Sequence, residues 1–196
     1  MCPRYRHIKN NLYRYSCCSA GLSQTVCANN DNVTLNGSIT VGSTTGIWST
    51  SGTGTFTPNA NTLNATYVPS NADTAAGNIT LTLSSTGGCV VVTDNLTVAI
   101  TDAPGVNAGV NQTVCATNVT VTLNGNFSGG ASGGIWLGNG SGTFSPDNMT
   151  MNATYVPSNA DTAAGSVQLI LTSTGVGTCN TVTDTMMITY TKPPVA

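Results

Sequence analysis

Glutamate is absent from this 196-residue chain, histidine occurs once, and only 6 % of the residues are charged. All seven acidic residues are aspartates, and four of the five basic residues fall in the first fourteen positions, as Arg4, Arg6, Lys9 and Arg14. Acid/base, triad and metal-hydrolysis chemistry all need clustered His and carboxylate groups, and here neither kind is clustered in sequence, so the chain reads as no enzyme with no cofactor or metal. A basic patch over the folded part is also missing, which removes the electrostatic source of nucleic-acid binding. No apolar run approaches the roughly 20 residues that span a bilayer. The first twenty residues have a basic start but no apolar stretch of a secretory signal.

What is present is Thr, Ser, Asn and Gly in quantity, with 39 % hydrophobic residues. That mixture favours strands over helices and suffices for a core. Self-comparison at a shift of 88 residues shows two copies of one unit. Asn64-Ala-Thr-Tyr-Val-Pro-Ser-Asn-Ala-Asp-Thr-Ala-Ala-Gly77 recurs unchanged as Asn152 to Gly165. The same shift pairs Gln24-Thr-Val-Cys27 with Gln112 to Cys115, Leu35-Asn-Gly37 with Leu123 to Gly125, and Ile47-Trp48 with Ile135-Trp136. Two residues are gained after Thr86, so Cys89 aligns with Cys179 and Asp94 with Asp184. The expected division is an atypical basic leader, 1–18; a first repeat, 19–104; and a second repeat with the start of the next linker, 105–196. The ending Lys192-Pro-Pro-Val-Ala196 falls on that linker, so the parent chain is expected to continue beyond both ends.

Within each copy the apolar period is two. Ile79, Leu81 and Leu83 alternate with Asn78, Thr80 and Thr82, and Leu96 and Val98 alternate with Thr97 and Ala99. These are half-buried strands punctuated by Gly and Ser/Thr/Asn clusters. The fold class is therefore all-β, a seven-strand antiparallel sandwich in each copy, with one helical turn over Ser70–Gly77 and its twin.

The set Asn-Ala-Gly-x-x-Gln-Thr-Val-Cys, Leu-x-Gly, Gly-x-Trp, Gly-Thr-Phe-x-Pro and Ala-Thr-Tyr-x-Pro-Ser-x-Ala-Asp-x-Ala-Ala-Gly resembles tandem Ig/PKD-like repeats. Such repeats belong to secreted surface proteins of Bacteroidota, including gliding-associated adhesins. The resemblance covers about residues 19–194. It implies two tandem Ig-like antiparallel β-sandwiches in an extracellular rod or adhesin at the cell surface. Within that reading the chain is expected to be a rod segment or a subunit of a fibre or adhesin that assembles head to tail. A glycan- or protein-binding adhesin domain is the alternative. It also makes Thr74, Thr162 and Thr185 candidate O-glycosylation sites, because Asp73-Thr-Ala75, Asp161-Thr-Ala163 and Asp184-Thr-Met186 resemble the Asp-Ser/Thr-apolar signal of that phylum.

One cysteine pair per copy, Cys27 with Cys89 and Cys115 with Cys179, argues for intra-unit disulfides, and the competing reading is free buried thiols. Cys2, Cys17 and Cys18 in the leader are odd in number, leaving one thiol free or linking chains. Trp48 and Trp136, with Phe56 and Phe144, are expected in the cores. The competing role for Trp48, Trp136, Tyr67 and Tyr155 is stacking on sugar. Asp73 with Asn71, and Asp161 with Asn159, are the nearest approach to a calcium ligand set, and too few for one.

The copies differ where they should face solvent. Ser49, Thr82 and Thr97 of the first copy become Leu137, Ile170 and Met187 in the second. If their strands adjoin, the second copy presents an apolar stripe suited to self-association or to neighbouring repeats. Leu12, Tyr13 and Tyr15 alternate as a short strand that could add to a neighbour's sheet edge.

Overall fold

In the computed structural model the described residues are 17–40, 43–87, 90–117 and 120–192. They divide between Asp102 and Ala103 into two compact units. Leu12, Tyr13, Tyr15, Cys2 and Cys89 lie outside the described residues.

The first unit opens with β1 (Cys17–Ser19), β2 (Gln24–Cys27), β3 (Val33–Thr34), β4 (Ser38–Thr40), β5 (Thr45–Thr50), β6 (Thr55–Thr57) and β7 (Thr66–Val68). It closes with α1 (Asn71–Ala76), β8 (Asn78–Thr86) and β9 (Thr93–Thr101). One sheet has the order β2-β9-β8-β5 and the opposing layer holds β3-β7-β6 together with the β1-β4 pair. Side chains from both layers meet between them: Val33, Leu35, Ile39 and Tyr67 from one, and Trp48, Leu81, Leu83, Leu96 and Val98 from the other. The nine residues of β8 alternate between buried and more exposed along their whole length, as a strand with one face on a core must.

The second unit repeats this plan with β10 (Gly105–Asn107), β11 (Gln112–Cys115), β12 (Val121–Thr122), β13 (Asn126–Ser128), β14 (Gly133–Gly138), β15 (Thr143–Ser145) and β16 (Thr154–Val156). It ends with α2 (Asn159–Ala164), β17 (Ser166–Thr174) and β18 (Thr183–Thr191). Its sheets are β11-β18-β17-β14, β12-β16-β15 and the pair β10-β13. Both units are therefore Ig-like β-sandwiches, and the chain is all-β apart from two single-turn helices.

Three features differ from the sequence reading, the first being nine strands among the described residues of each copy where seven were expected. Cys17 and Cys18 belong to the first sandwich, since β1 pairs antiparallel with β4 and Cys18 packs on the core. Cys18 takes the place that Val106 takes in the second copy, a change of letter that hides the match. Each sandwich also contains one parallel pair, β2 with β9 and β11 with β18. The opening strand leaves the first layer after β1, turns at Gly21 (φ 93°), and joins the other sheet beside the last strand, running in the same direction.

Candidate functional site

The residues that repeat without change, Asn64–Gly77 and Asn152–Gly165, build a buried polar cluster. Ser70 caps α1: its hydroxyl accepts from the Asp73 N–H at 3.2 Å, and the Asp73 carboxylate accepts from the Ser70 N–H at 3.0 Å. This reciprocal capping box is followed at the other end by Gly77 in the left-handed region, φ 75°. Because the helix sits at the rim of the sandwich, the same carboxylate also reaches the β5–β6 turn. It accepts from the Thr53 N–H at 2.8 Å, the Gly54 N–H at 2.9 Å and the Tyr67 hydroxyl at 2.7 Å. Tyr67 in turn accepts from the Thr50 hydroxyl at 3.0 Å and from the Gly54 N–H at 2.9 Å. A Cβ on Gly54 would stand 2.3 Å from the Val68 carbonyl oxygen and 2.6 Å from the Tyr67 hydroxyl, which accounts for the Gly-Thr-Phe motif.

The second copy keeps the plan with fewer bonds. Asp161 accepts from the Ser158 N–H, the Ser141 N–H and the Tyr155 hydroxyl, each at 2.9 Å. Gly138 replaces Thr50, so Tyr155 accepts from the Gly142 N–H at 3.2 Å and receives no threonine hydroxyl.

Burial alone would raise the Asp73 and Asp161 carboxyls, but the backbone N–H donors and the tyrosine hydroxyl outweigh it and hold both below the usual value. Burial, with the neighbouring carboxylate, pushes Tyr67 and Tyr155 upward. Each carboxylate is thus engaged by protein donors, Asp73 by four and Asp161 by three. Among the described residues no group of three or more His, Cys or Asp could hold a metal ion.

Other aspartates also serve the backbone. Asp94 accepts from the Ala20 N–H and Asp184 from the Ala108 N–H, both at 2.8 Å, tying the start of each sandwich to its last strand. Asp147 accepts from the N–H groups of Met149 and Thr150 in a turn.

Trp48 and Trp136 are buried, and their indole N–H groups donate to the carbonyls of Leu63 and Met151 at 3.1 and 3.3 Å. The Trp48 ring lies against Gly37, where a Cβ would stand 2.8 Å from Cζ2. Phe56 and Phe144 are half-buried, tilted against Tyr67 and Tyr155 at centroid distances of 5.0 and 5.1 Å. The rings are therefore committed to the interior and present no face for sugar stacking. Thr74 and Thr162 are half-buried in the helices, donating to the Asn71 and Asn159 carbonyls at 2.9 and 3.0 Å. Thr185 is exposed on β18.

The expected Cys115–Cys179 bridge does not form. Cys115 is a free, exposed thiol, whereas Cys179 is disulfide-bonded. Cys115 lies opposite Thr191, at the end of β18, while Cys179 lies in the turn that precedes Thr183. Nine strand residues separate those ends by about 25 Å, and a disulfide needs α-carbons within about 7 Å. Cys17 and Cys27 are also disulfide-bonded, and Cys18 is free. Cys27 pairs in register with Thr101, and its expected partner, Cys89, lies outside the described residues.

Leu137, Ile170 and Met187 adjoin. Leu137 lies directly opposite Ile170. Met187 follows Thr185, the opposite of Ile170, by two residues and is thus its diagonal neighbour. Leu137 is 51 % exposed and Met187 36 %. The same places in the first sandwich put Ser49 opposite Thr82 and Thr97 opposite Thr80. Ile47, 41 % exposed, is an isolated apolar residue on that outer face.

No protein-family model matches the chain, and no curated protein does. Among solved structures it is similar to extracellular domains 3–5 of Drosophila OTK, at 11 % identity over 87 % of this chain and 59 % of that one, TM-score 0.44. An I-band fragment of titin gives 10 % identity over 93 % and 68 %, TM-score 0.47. Human protocadherin-24 gives 10 % over 88 % and 95 %, TM-score 0.39. The chain thus spans about three-fifths of the OTK fragment it matches.

Proposed function

We propose that the chain is a non-enzymatic structural module of an extracellular, cell-surface protein, one that holds distance and associates with other copies through the outer face of its second sandwich. The observation that carries this reading is the row Leu137, Ile170 and Met187, apolar and adjoining where the first sandwich is polar throughout. Its place on a sheet face makes the contact side by side. Disulfides at Cys17, Cys27 and Cys179 fit an oxidising compartment. Five of the seven aspartates, Asp73, Asp94, Asp147, Asp161 and Asp184, are taken up in holding backbone or tyrosine groups, which leaves little for catalysis. Among the described residues no helix is long and apolar enough to cross a membrane. The motif likeness to Bacteroidota surface repeats supports the cell-surface setting.

Light scattering and negative-stain microscopy of the full chain test this. Concentration-dependent assemblies or fibres are expected. A strictly monomeric chain that gives a glycan-array signal would replace the reading with that of a ligand-binding adhesin domain.

A further inference from the structure

We propose that the rim of the second sandwich is a binding site for one buried water molecule, held between the Tyr190 hydroxyl and the Asp161 carboxylate. The inference goes beyond the association reading above and does not depend on it.

Tyr190 is an inward residue of β18, 6 % exposed. Among the described residues its hydroxyl oxygen is the one buried side-chain N or O atom without a hydrogen-bond partner. A buried hydroxyl left unbonded is destabilising, so one standing in a folded core points to a partner outside the chain.

The hydroxyl belongs to the Asp161 cluster. The Tyr190 N–H donates to the Gly165 carbonyl at 2.9 Å, and the Gly165 N–H donates to the Asp161 carbonyl at 3.2 Å, so the tyrosine is anchored at the C-terminal cap of α2, one turn from Asp161. Burial, with the Asp161 carboxylate near enough to act on it, pushes Tyr190 up to about 12, and Tyr190 in turn contributes to the rise of Tyr155. Hydroxyl and carboxylate are thus within electrostatic reach of each other without a direct bond.

The two copies differ in the groups that surround this carboxylate. In the first, the Gly54 N–H donates to Asp73, and the Thr50 hydroxyl donates to Tyr67 at 3.0 Å while accepting from the Gly52 N–H at 2.9 Å. Ile100 stands there in the place of Tyr190. In the second, Gly138 replaces Thr50 and carries no hydroxyl, and the Gly142 N–H donates to Tyr155. An acceptor position that is used in Asp73 is therefore open in Asp161. Gly140, the counterpart of Gly52, lies against that carboxylate: a Cβ on it would stand 2.6 Å from Asp161 Oδ1. Its N–H has no threonine hydroxyl to meet.

These groups select water. Tyr190 and Gly140 supply donors and Asp161 an acceptor, so the ligand must both accept and donate. An anion is repelled by the carboxylate, and a cation meets the positive ends of two donors. Asp161 is 4 % exposed and Tyr190 6 %, which leaves space for nothing much larger than water. The water accepts from Tyr190 and Gly140 and donates to Asp161, about the number of bonds usual for a buried water. In accepting from Gly140 it takes over a bond that the Thr50 hydroxyl makes in the first copy.

The test is a crystal structure of the full chain at a resolution that shows ordered waters, together with urea unfolding of Tyr190→Phe. A water is expected within about 2.5–3.2 Å of both Tyr190 Oη and an Asp161 carboxylate oxygen. Tyr190→Phe is expected to lower the folded-to-unfolded ratio about fivefold, because a bonded hydroxyl is lost. A hydroxyl with no partner predicts the opposite sign, since phenylalanine would then remove an unmet polar group. The proposal is overturned by a Tyr190 hydroxyl that is dry or donates straight to a protein atom, and equally by a Tyr190→Phe chain as stable as the parent or more so.

Discussion

Asp73 accepts four hydrogen bonds while almost fully buried, so its charge is bound to the folded state. Its folded-state pKa lies below the unfolded value near 3.9, as does that of Asp161. A carboxylate shifted in that direction contributes stability at every pH above the unfolded value and loses it as pH falls through the folded one. Asp73→Asn is therefore expected to cost about 2–3 kcal/mol at pH 7, since an amide turns an N–H₂ toward donors that need an acceptor. The gap to the parent should narrow as pH falls below about 4, where the unfolded chain's carboxylate begins to take up its proton, and close as pH passes the lower folded-state value. Urea titrations at several pH values check both the size and the sign. The tyrosines separate the copies. Tyr67→Phe leaves the Thr50 hydroxyl, the Gly54 N–H and Asp73 each short of a bond, whereas Tyr155→Phe disturbs Gly142 and Asp161 alone. Tyr67→Phe should thus be the costlier change, by about 1 kcal/mol, in denaturant unfolding.

A six-residue helix such as α1 is too short to stand alone, so its caps and its docking decide it. Ser70→Ala removes the acceptor for the Asp73 N–H and frees one wall of the carboxylate site, at an expected cost of about 1 kcal/mol in chemical denaturation. Ser158→Ala should match it, because the second box has the same two bonds. How far such elements could be read in advance depends on whether they are local. Alternation along Asn78–Thr86 and Thr93–Thr101 marks both long strands, and the Ser-Asn-Ala-Asp stretch with its terminal Gly marks the turn of helix. The convergence on Asp73 is hidden, because Thr53, Gly54 and Tyr67 lie up to 20 residues away and enter only when the β5–β6 turn folds over the helix. The unchanged repetition of Asn64–Gly77 was its signal. The cysteine pairing failed for a similar reason. One pair per copy looks like one bridge, but the parallel seating of β11 against β18 sets Cys115 and Cys179 at opposite ends of a strand. That parallel seating follows from a switch of layers after β1 that alternation does not record.

At the scale of the whole molecule, two sandwiches with matching cores carry different outer faces, and the difference is confined to a few positions. Ser49, Thr82 and Thr97 stand on one, Leu137, Ile170 and Met187 on the other, each set in the same register. Because these side chains point away from the cores, exchanging them should move stability by about 0.5 kcal/mol or less. Association should respond much more. Leu137→Ser with Ile170→Thr and Met187→Thr is expected to abolish concentration-dependent assembly in light scattering, because those three residues supply the apolar area of the patch. The reverse exchange is the sharper test. Ser49→Leu with Thr82→Ile and Thr97→Met would give the first sandwich the same row, next to the exposed Ile47. If the row alone confers contact, that variant assembles further than the parent at equal concentration, and added to the first triple change it restores assembly. If it leaves the chain no more associated than before, the contact depends on features peculiar to the second sandwich.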